Sequence, residues 1–302
     1  MRCMDARALD APPLAYQVAL RPEDQRVIVS SASQRRIASG VLMALGDARG
    51  LLHFGVADSH AHATLCTGRE EAGRFAHDVE TSLRSRLEIR APFERASIRA
   101  VRTQWHLTKN LWYELDQDRR HGIHADRAHD GTCLLDVLGG RVFLATDGPG
   151  ATRRIGGGMG ARLARMFPRL RGRELLARIG GPSMLDVEPD PRELAEAAAA
   201  AVGAENVRGR GVIASVARRA AVHAAPHLRT HDLADILGIA RRTVQQLRSE
   251  PPDGAVVRAI SIQWRLRTHL RETAEAESNG LLVWPTEPQS GAWHLERGGE
   301  AR

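Results

Sequence analysis

The sequence predicts an α+β domain followed by a small all-helical domain, and three observations support this prediction. Short alternating apolar runs and helical apolar stripes follow one another through the first hundred residues. Their order is β-α-β-β-α-β, which is typical of a ferredoxin-like antiparallel sheet with its helices. From about residue 206 the apolar pattern is helical only. We therefore place the α+β domain at 1–145 and a helical bundle at 206–276.

The first strand and the first helix carry local signals of their type. Tyr16–Leu20 alternates and stops before Pro22, as strands commonly do. Ser31 or Ser33 can cap a helix that ends near Gly46. The apolar residues on its predicted core face are Ile37, Val41, Leu42 and Leu45.

Two histidines follow the next apolar run. Leu51–Ala57 reads as a strand and leads into Asp58–Leu65, which contains His60 and His62. Side chains of a strand alternate between faces, so both imidazoles are expected to point the same way. Two imidazoles on one face can bind a single divalent metal ion. The spacing therefore indicates a candidate metal site.

A second helix and a further strand complete the order. The helix covers 70–87, and Pro92 lies beyond its end. Its predicted core stripe repeats every four residues, at Phe75, Val79, Leu83 and Leu87. Ala96–Val101 then reads as a strand.

The helix that comes next carries candidate chemistry. Apolar residues at helical spacing predict its buried stripe, which consists of Trp105, Leu111, Trp112 and Leu115. Tyr113 and Gln117 lie four residues apart and therefore neighbour one another on a single helix face. A phenol can act as a covalent nucleophile, and an amide oxygen can complete a metal shell.

Together these features resemble the HUH superfamily of single-tyrosine transposases, and most closely the REP-associated tyrosine transposases. Two motifs are shared. The first is a His-x-His strand, here His60 and His62, and the second is a later helix with Tyr-x-x-x-Gln, here Tyr113 and Gln117. The segments 117–123, 130–132 and 135–139 are also similar to that group, so the resemblance covers about half of the chain. Ser59 stands where the group often carries asparagine.

The resemblance implies an enzyme that cleaves single-stranded DNA and transfers the cut strand, as in DNA transposition. It implies that His60, His62 and Gln117 bind Mg²⁺ or Mn²⁺, and that Tyr113 forms a 5′-phosphotyrosine. The expected partner is single-stranded or hairpin-forming DNA.

Two alternative functions stay open. One is a sequence-specific DNA-binding regulator with an inactive transposase-like core, which small residues at Ala61 and Ala63 motivate. The other is a replication or conjugation nickase with the same chemistry.

A glycine- and arginine-rich stretch separates the two predicted domains. We assign 146–205 to a linker and helical connector. Gly148–Gly160 lacks the Gly-Lys-Ser/Thr of a phosphate-binding P-loop. Asp190, followed by Pro191 and Glu193, is typical of a helix start.

The segment Thr230–Leu247 resembles a helix-turn-helix with its turn at Gly238. Leu233, Leu237, Ala234, Ile239, Val244 and Leu247 are the predicted core positions. The second helix would expose side chains able to contact bases or phosphates: Arg241, Arg242, Thr243, Gln245 and Gln246. The alternative is a purely structural pair of helices. Residues 277–302 read as a disordered tail.

Composition favours a polyanionic partner. The net charge is +7, and Lys109 is the only lysine among many arginines. The three cysteines form no CxxC motif, so neither a disulfide framework nor a zinc ribbon is indicated. The chain shows no signal peptide and no apolar run of membrane-spanning length. We expect a cytoplasmic protein without membrane contact, as a monomer or homodimer.

Overall fold

The computed structural model describes residues 12–115, 117, 129–142 and 189–278. The first part contains β1 (Ala15–Leu20), α1 (Ala32–Gly46), β2 (Leu51–Val56), β3 (Ala61–Leu65), α2 (Arg69–Arg86), β4 (Ser97–Val101), α3 (Gln104–Leu115) and α4 (Leu134–Leu138). The second part contains α5 (Leu194–Ala201), α6 (Val212–Ala224), α7 (Thr230–Leu237), α8 (Arg241–Ser249) and α9 (Gly254–Ser278). Short 3-10 turns at Asp47–Arg49 and Pro191–Glu193 precede β2 and α5.

The four strands form one antiparallel sheet in the order β2-β3-β1-β4. The element order β1-α1-β2-β3-α2-β4 and the α+β class agree with the sequence prediction. Within the sheet, His62 of β3 lies between Gly55 of β2 and Ala19 of β1. The histidine strand is therefore an inner strand with a neighbour on each side.

Helix starts follow the capping residues that the sequence indicated. The Ser31 side chain accepts a hydrogen bond from the Gln34 backbone nitrogen at 3.2 Å, which satisfies a free donor in the first turn of α1. Asp190 accepts in the same way from the Arg192 nitrogen at 2.9 Å, with Pro191 next in the chain. The turn after α1 closes at Gly50, whose φ of 71° favours glycine.

The two faces of the sheet are covered differently. Helices α1 and α2 pack on one face around Phe54, Phe75 and Leu83, which have no exposed surface. Helix α3 packs on the other face with Leu107, Leu111 and Leu115 in its core stripe. The Val56 nitrogen donates to the Gly131 carbonyl at 2.8 Å, so the 129–142 segment covers part of edge strand β2.

Helices α5 to α9 pack around an alanine-rich core. The predicted core positions of the α7–α8 segment are buried, or partly buried in the case of Ile239. Gly238 ends α7 with a φ of 63°, a left-handed conformation that glycine adopts without strain. His223 Nε2 lies 3.0 Å from the Leu247 carbonyl, at the end of α8. Helix α5, which lies in the predicted connector region, contributes to the same core.

Three details differ from the sequence analysis. Trp105 is 66% exposed and does not belong to the buried stripe. It precedes the buried Leu107 by two positions, about 200° of helix rotation, so it lies on the opposite side of α3. His60 ends the turn before β3, since the strand begins at Ala61. Helix α9 ends at Ser278, so residues 277 and 278 belong to a helix and not to the predicted tail, because residues 271–278 are rich in glutamate and alanine, which favour helix.

Several predictions fall outside the described residues. They concern residues 118–123, which belong to a segment similar to the transposases, the glycine-rich stretch and the tail from 279 onward. Among the helices that the structure describes, none has the length and apolarity needed to cross a bilayer.

Candidate functional site

Two histidines form the centre of the candidate site. Gly55 and His62 are cross-strand partners, and the turn at 57–60 brings His60 beside them. The ring centres of His60 and His62 lie 4.9 Å apart, with one ring edge facing the other ring. His60 is buried and His62 is half-buried. The two imidazoles therefore lie side by side, as the spacing predicted, although only His62 belongs to the strand.

Gln117, two residues beyond the end of helix α3, reaches this pair. Its amide nitrogen donates a hydrogen bond to His60 Nε2. In this orientation of the amide, His60 Nε2 is the acceptor. The Nδ1 atom of the same ring lies 3.1 Å from Ser59 Oγ, so these two atoms can form a hydrogen bond. Contacts at both ring nitrogens thus hold the His60 ring with Nε2 directed toward Gln117.

Tyr113 lies beside the histidines. Its ring centre is 5.6 Å from that of His62, again edge to face. The ring is half-buried, so its packing fixes its position without closing it off from solvent. The structure thus brings together all four predicted residues, His60, His62, Tyr113 and Gln117, from two regions about fifty residues apart in sequence.

Gly55 allows helix α3 to approach the sheet at this point. A Cβ atom at Gly55 would lie 3.4 Å from Gln117 Oε1 and 3.4 Å from Glu114 Cβ. A methyl group would therefore be in van der Waals contact with the helix, and a larger side chain would collide with it. This close approach brings Gln117 Oε1 near Gly55, the cross-strand partner of His62.

A buried pair that the sequence analysis missed lies behind the site. His53 Nδ1 is 2.6 Å from Glu114 Oε2, and neither side chain has exposed surface. His53 is on β2 and Glu114 is on α3, directly after Tyr113. The contact fixes the rotation of α3 relative to the sheet. The one available signal in the sequence was a histidine inside an otherwise apolar strand.

Cys133 lies near this pair but is not a second nucleophile. Burial raises the pKa of its thiol well above the usual value, and the Glu114 and Asp136 carboxylates raise it further. The thiol therefore stays protonated at neutral pH, and its reactive thiolate form is suppressed.

The donor set fits a divalent cation. His60 Nε2 faces the Gln117 amide, the His62 ring lies beside it, and Gln117 Oε1 is buried without a donor among the described residues. Turning the Gln117 amide would direct this oxygen toward His60. No group of three or more His, Cys, Asp or Glu side chains suited to a metal occurs in the part of the chain that the structure describes. A metal here would therefore need the amide as its third ligand.

A second candidate surface lies on helix α8. Arg241, Arg242, Gln245 and Gln246 are exposed, while Thr243 is half-buried. Gln246 donates to Glu250 at 3.1 Å. Arg248 instead binds the Leu228 carbonyl at 2.6 Å, so it anchors α8 to the segment before α7. The predicted DNA-contacting residues thus lie together on one helix, separate from the histidine site.

Comparison of the chain with protein-family models, with curated proteins and with solved structures gives no match.

Proposed function

We propose that this protein is a metal-dependent enzyme that cleaves and rejoins single-stranded DNA through a 5′-phosphotyrosine on Tyr113. The observation that carries the proposal is the convergence of Tyr113 with His60, His62 and Gln117 at one place on the sheet. Each of these residues is common in surface or core positions. Their joint placement beside a nucleophile is what a phosphoryl-transfer site requires.

Tyr113 would perform the covalent step. Its phenolic oxygen attacks the phosphorus of a phosphodiester, forming the O–P bond while the bond from phosphorus to the 3′ oxygen breaks. The phenol loses its proton, and the departing 3′ oxygen gains one. The phosphodiester is exchanged for a phosphotyrosine ester, so the reverse reaction can reseal the strand without a nucleotide cofactor.

His60, His62 and Gln117 would hold Mg²⁺ or Mn²⁺. When bound there, the ion would polarise the phosphoryl oxygens and offset the charge that develops on them. Two imidazoles are softer ligands than Mg²⁺ prefers, so the set favours Mn²⁺ in vitro. The contact of Ser59 with His60 Nδ1 supports this role because it leaves Nε2 directed toward Gln117.

The helical bundle would bind duplex or hairpin DNA through α8. The α7–α8 pair has a tight turn, a buried inner face and an outer face of arginine and glutamine. These side chains suit contacts to phosphates and to base edges in a major groove. The net charge of +7 supports a polyanionic partner.

The test is covalent capture of labelled DNA. Purified protein is incubated with 5′- or 3′-labelled single strands taken from the DNA flanking its own gene, with Mg²⁺ or Mn²⁺. Denaturing gels should show a protein–DNA adduct that requires the metal. Tyr113→Phe keeps the ring packing and removes the nucleophilic oxygen, so the adduct should disappear. Tyr16→Phe, on β1, is the matched control and should keep it.

Other outcomes of this experiment distinguish the alternative functions. An adduct that persists in Tyr113→Phe would show that another residue is the nucleophile. The absence of an adduct across several flanking sequences and both metals, with duplex binding intact, would contradict the enzyme and favour a DNA-binding regulator. A preference for origin-like strands over transposon-end hairpins would favour a replication or conjugation nickase.

A further inference from the structure

Trp105 is an exposed aromatic side chain on the same helix as Tyr113. It is 66% exposed, whereas the other tryptophan, phenylalanine and tyrosine side chains in the described part of the chain are buried or half-buried. The ring belongs to an ordered turn, since Thr103 Oγ1 accepts a hydrogen bond from the His106 nitrogen at 3.1 Å at the helix start. Folding therefore holds a large apolar ring in water instead of burying it.

Lys109 adds a cation to this ring. Its ammonium lies 3.8 Å from the centre of the Trp105 ring, one helical turn away. Such a contact orients both side chains and keeps the charge on the exposed side of the helix. The ring and the ammonium are thus arranged before any ligand arrives, which lowers the entropy cost of binding.

The pair lies in line with the candidate nucleophile. Trp105, Lys109 and Tyr113 succeed one another at four-residue steps, which keeps them on neighbouring parts of one side of α3. Eight residues of helix separate Trp105 from Tyr113 by about 12 Å. This distance corresponds to roughly three to four stacked nucleotides at about 3.4 Å each.

We propose that Trp105 and Lys109 form a subsite that binds one nucleobase and its phosphate on the single strand held for attack by Tyr113. This inference rests on the proposed function. An aromatic face stacks on any base, and a neighbouring cation neutralises the phosphate, which is the combination that single-strand binding uses. The occupant is therefore single-stranded DNA and not a peptide or lipid, consistent with the net positive charge of the chain.

The test measures single-strand binding apart from cleavage. The full chain carrying Tyr113→Phe is titrated with fluorescent oligothymidylate, and affinity is read by anisotropy at several salt concentrations. Adding Trp105→Ala should weaken binding roughly 5- to 150-fold, the range for loss of one stacked base. Adding Trp105→Phe should restore most of it, whereas Trp105→Leu should not. Lys109→Met should reduce the slope of log affinity against log salt by about 0.7.

A second readout locates the base. In cleavable oligonucleotides bound by the Tyr113→Phe protein, 2-aminopurine is placed at successive positions around the scissile phosphate. Its fluorescence should fall most at about three to four steps from that phosphate. The fluorescence should recover when Trp105→Ala is added. Val212→Ala removes another exposed apolar side chain, on α6 of the bundle, and should change neither measurement.

The possible failures are distinct. If unaltered protein forms the Tyr113 adduct but Trp105→Ala leaves affinity unchanged, the subsite is wrong and the proposed function stands. If the unaltered protein forms no adduct, the proposed function fails. A change from dimer to monomer in Trp105→Ala with unchanged DNA affinity would assign the ring to contact between copies and would overturn the subsite.

Discussion

His53 and Glu114 connect the histidine strands to the tyrosine helix through one short contact. Both side chains lack exposed surface, and their 2.6 Å contact joins β2 to α3 next to Tyr113. The contact is short enough for a hydrogen bond between His53 Nδ1 and Glu114 Oε2. A buried polar pair of this kind specifies geometry more than it adds net stability, because desolvation offsets much of its attraction. Here the geometry it specifies is the distance from Tyr113 to His62.

Truncating one partner should be costly. Glu114→Ala leaves His53 buried without its partner, so we expect a loss of about 2–3 kcal/mol in the free energy of unfolding. Glu114→Gln keeps an acceptor of similar shape and should lose less. Urea denaturation gives both values. Glu80→Ala on α2 removes a glutamate whose contact to Arg84 is long and partly exposed. That control should lower the free energy of unfolding by less than about 1 kcal/mol. Equal losses at the two sites would contradict the role of Glu114 in holding α3 against β2.

Helix α3 illustrates what could be predicted from sequence at the scale of one element. The four-residue spacing of Tyr113 and Gln117 predicted that they are neighbours, and both lie beside the histidine pair in the structure. His60 and His62 also lie together, but His60 belongs to the turn before β3, so strand alternation alone does not explain its position. The same periodicity wrongly placed Trp105 in the core, because the true stripe runs through Leu107, Leu111 and Leu115.

Other features of the site could not be derived from the sequence patterns. The His53–Glu114 pair could not be found because a buried polar contact depends on the register between two elements, and apolar periodicity does not report that register. The order β-α-β-β-α-β could be predicted because each element carries its own pattern. The docking of the 129–142 segment could not, since it depends on long-range contacts to α1, β2 and α9.

Helix α8 provides a test at the same scale. Replacing Arg241 and Arg242 together by alanine should weaken duplex DNA binding and reduce the salt slope by about 0.9 for each phosphate that the arginines no longer neutralise. Anisotropy titrations at several salt concentrations measure both effects. Arg74→Ala with Arg84→Ala on α2 removes the same charge from another exposed helix. If the two double variants behaved alike, α8 would contribute only to the net charge and would be a structural helix.

At the scale of the whole molecule, a buried carboxylate ties the α+β part to the helical part. Asp130 accepts from Arg36 of α1 at 2.8 Å and from Arg267 of α9 at 2.5 Å. Gln263 of α9 donates to the Gly140 carbonyl at 3.0 Å. Helix α1 also contacts the turn after α5 closely, since a Cβ at Gly40 would lie 2.6 Å from the Gly203 carbonyl oxygen. The two surfaces proposed to contact DNA therefore belong to parts of the chain that are packed together.

The Asp130 contacts predict a pH dependence. Burial alone would raise the pKa of Asp130, but Arg267 and Arg36 outweigh burial and hold it below the usual value. A lowered carboxyl pKa stabilises the fold above the unfolded pKa of about 4, and this stabilisation is lost as the pH falls through the folded pKa. Asp130→Asn should therefore cost about 3 kcal/mol at pH 7.

The cost of Asp130→Asn should shrink on acidification below about pH 4. Urea unfolding at several pH values measures the difference from the unaltered protein. Asp24→Asn, at an exposed pair with Arg26, is the control and should have little effect at any pH. A cost that stayed constant, or grew toward acid pH, would contradict the assigned role of Asp130.

The most direct test of the central claim is to identify the amino acid that carries the DNA. The adduct is digested with nuclease and trypsin, and the peptide bearing the residual nucleotide is sequenced by mass spectrometry. Cleavage after Lys109 and Arg119 gives the peptide 110–119, which contains Tyr113, whereas Tyr16 falls in a separate peptide before Arg26. We predict the nucleotide on Tyr113, linked through a 5′ phosphate. A nucleotide on Tyr16 or on any other residue, or a 3′ linkage, would contradict the proposal.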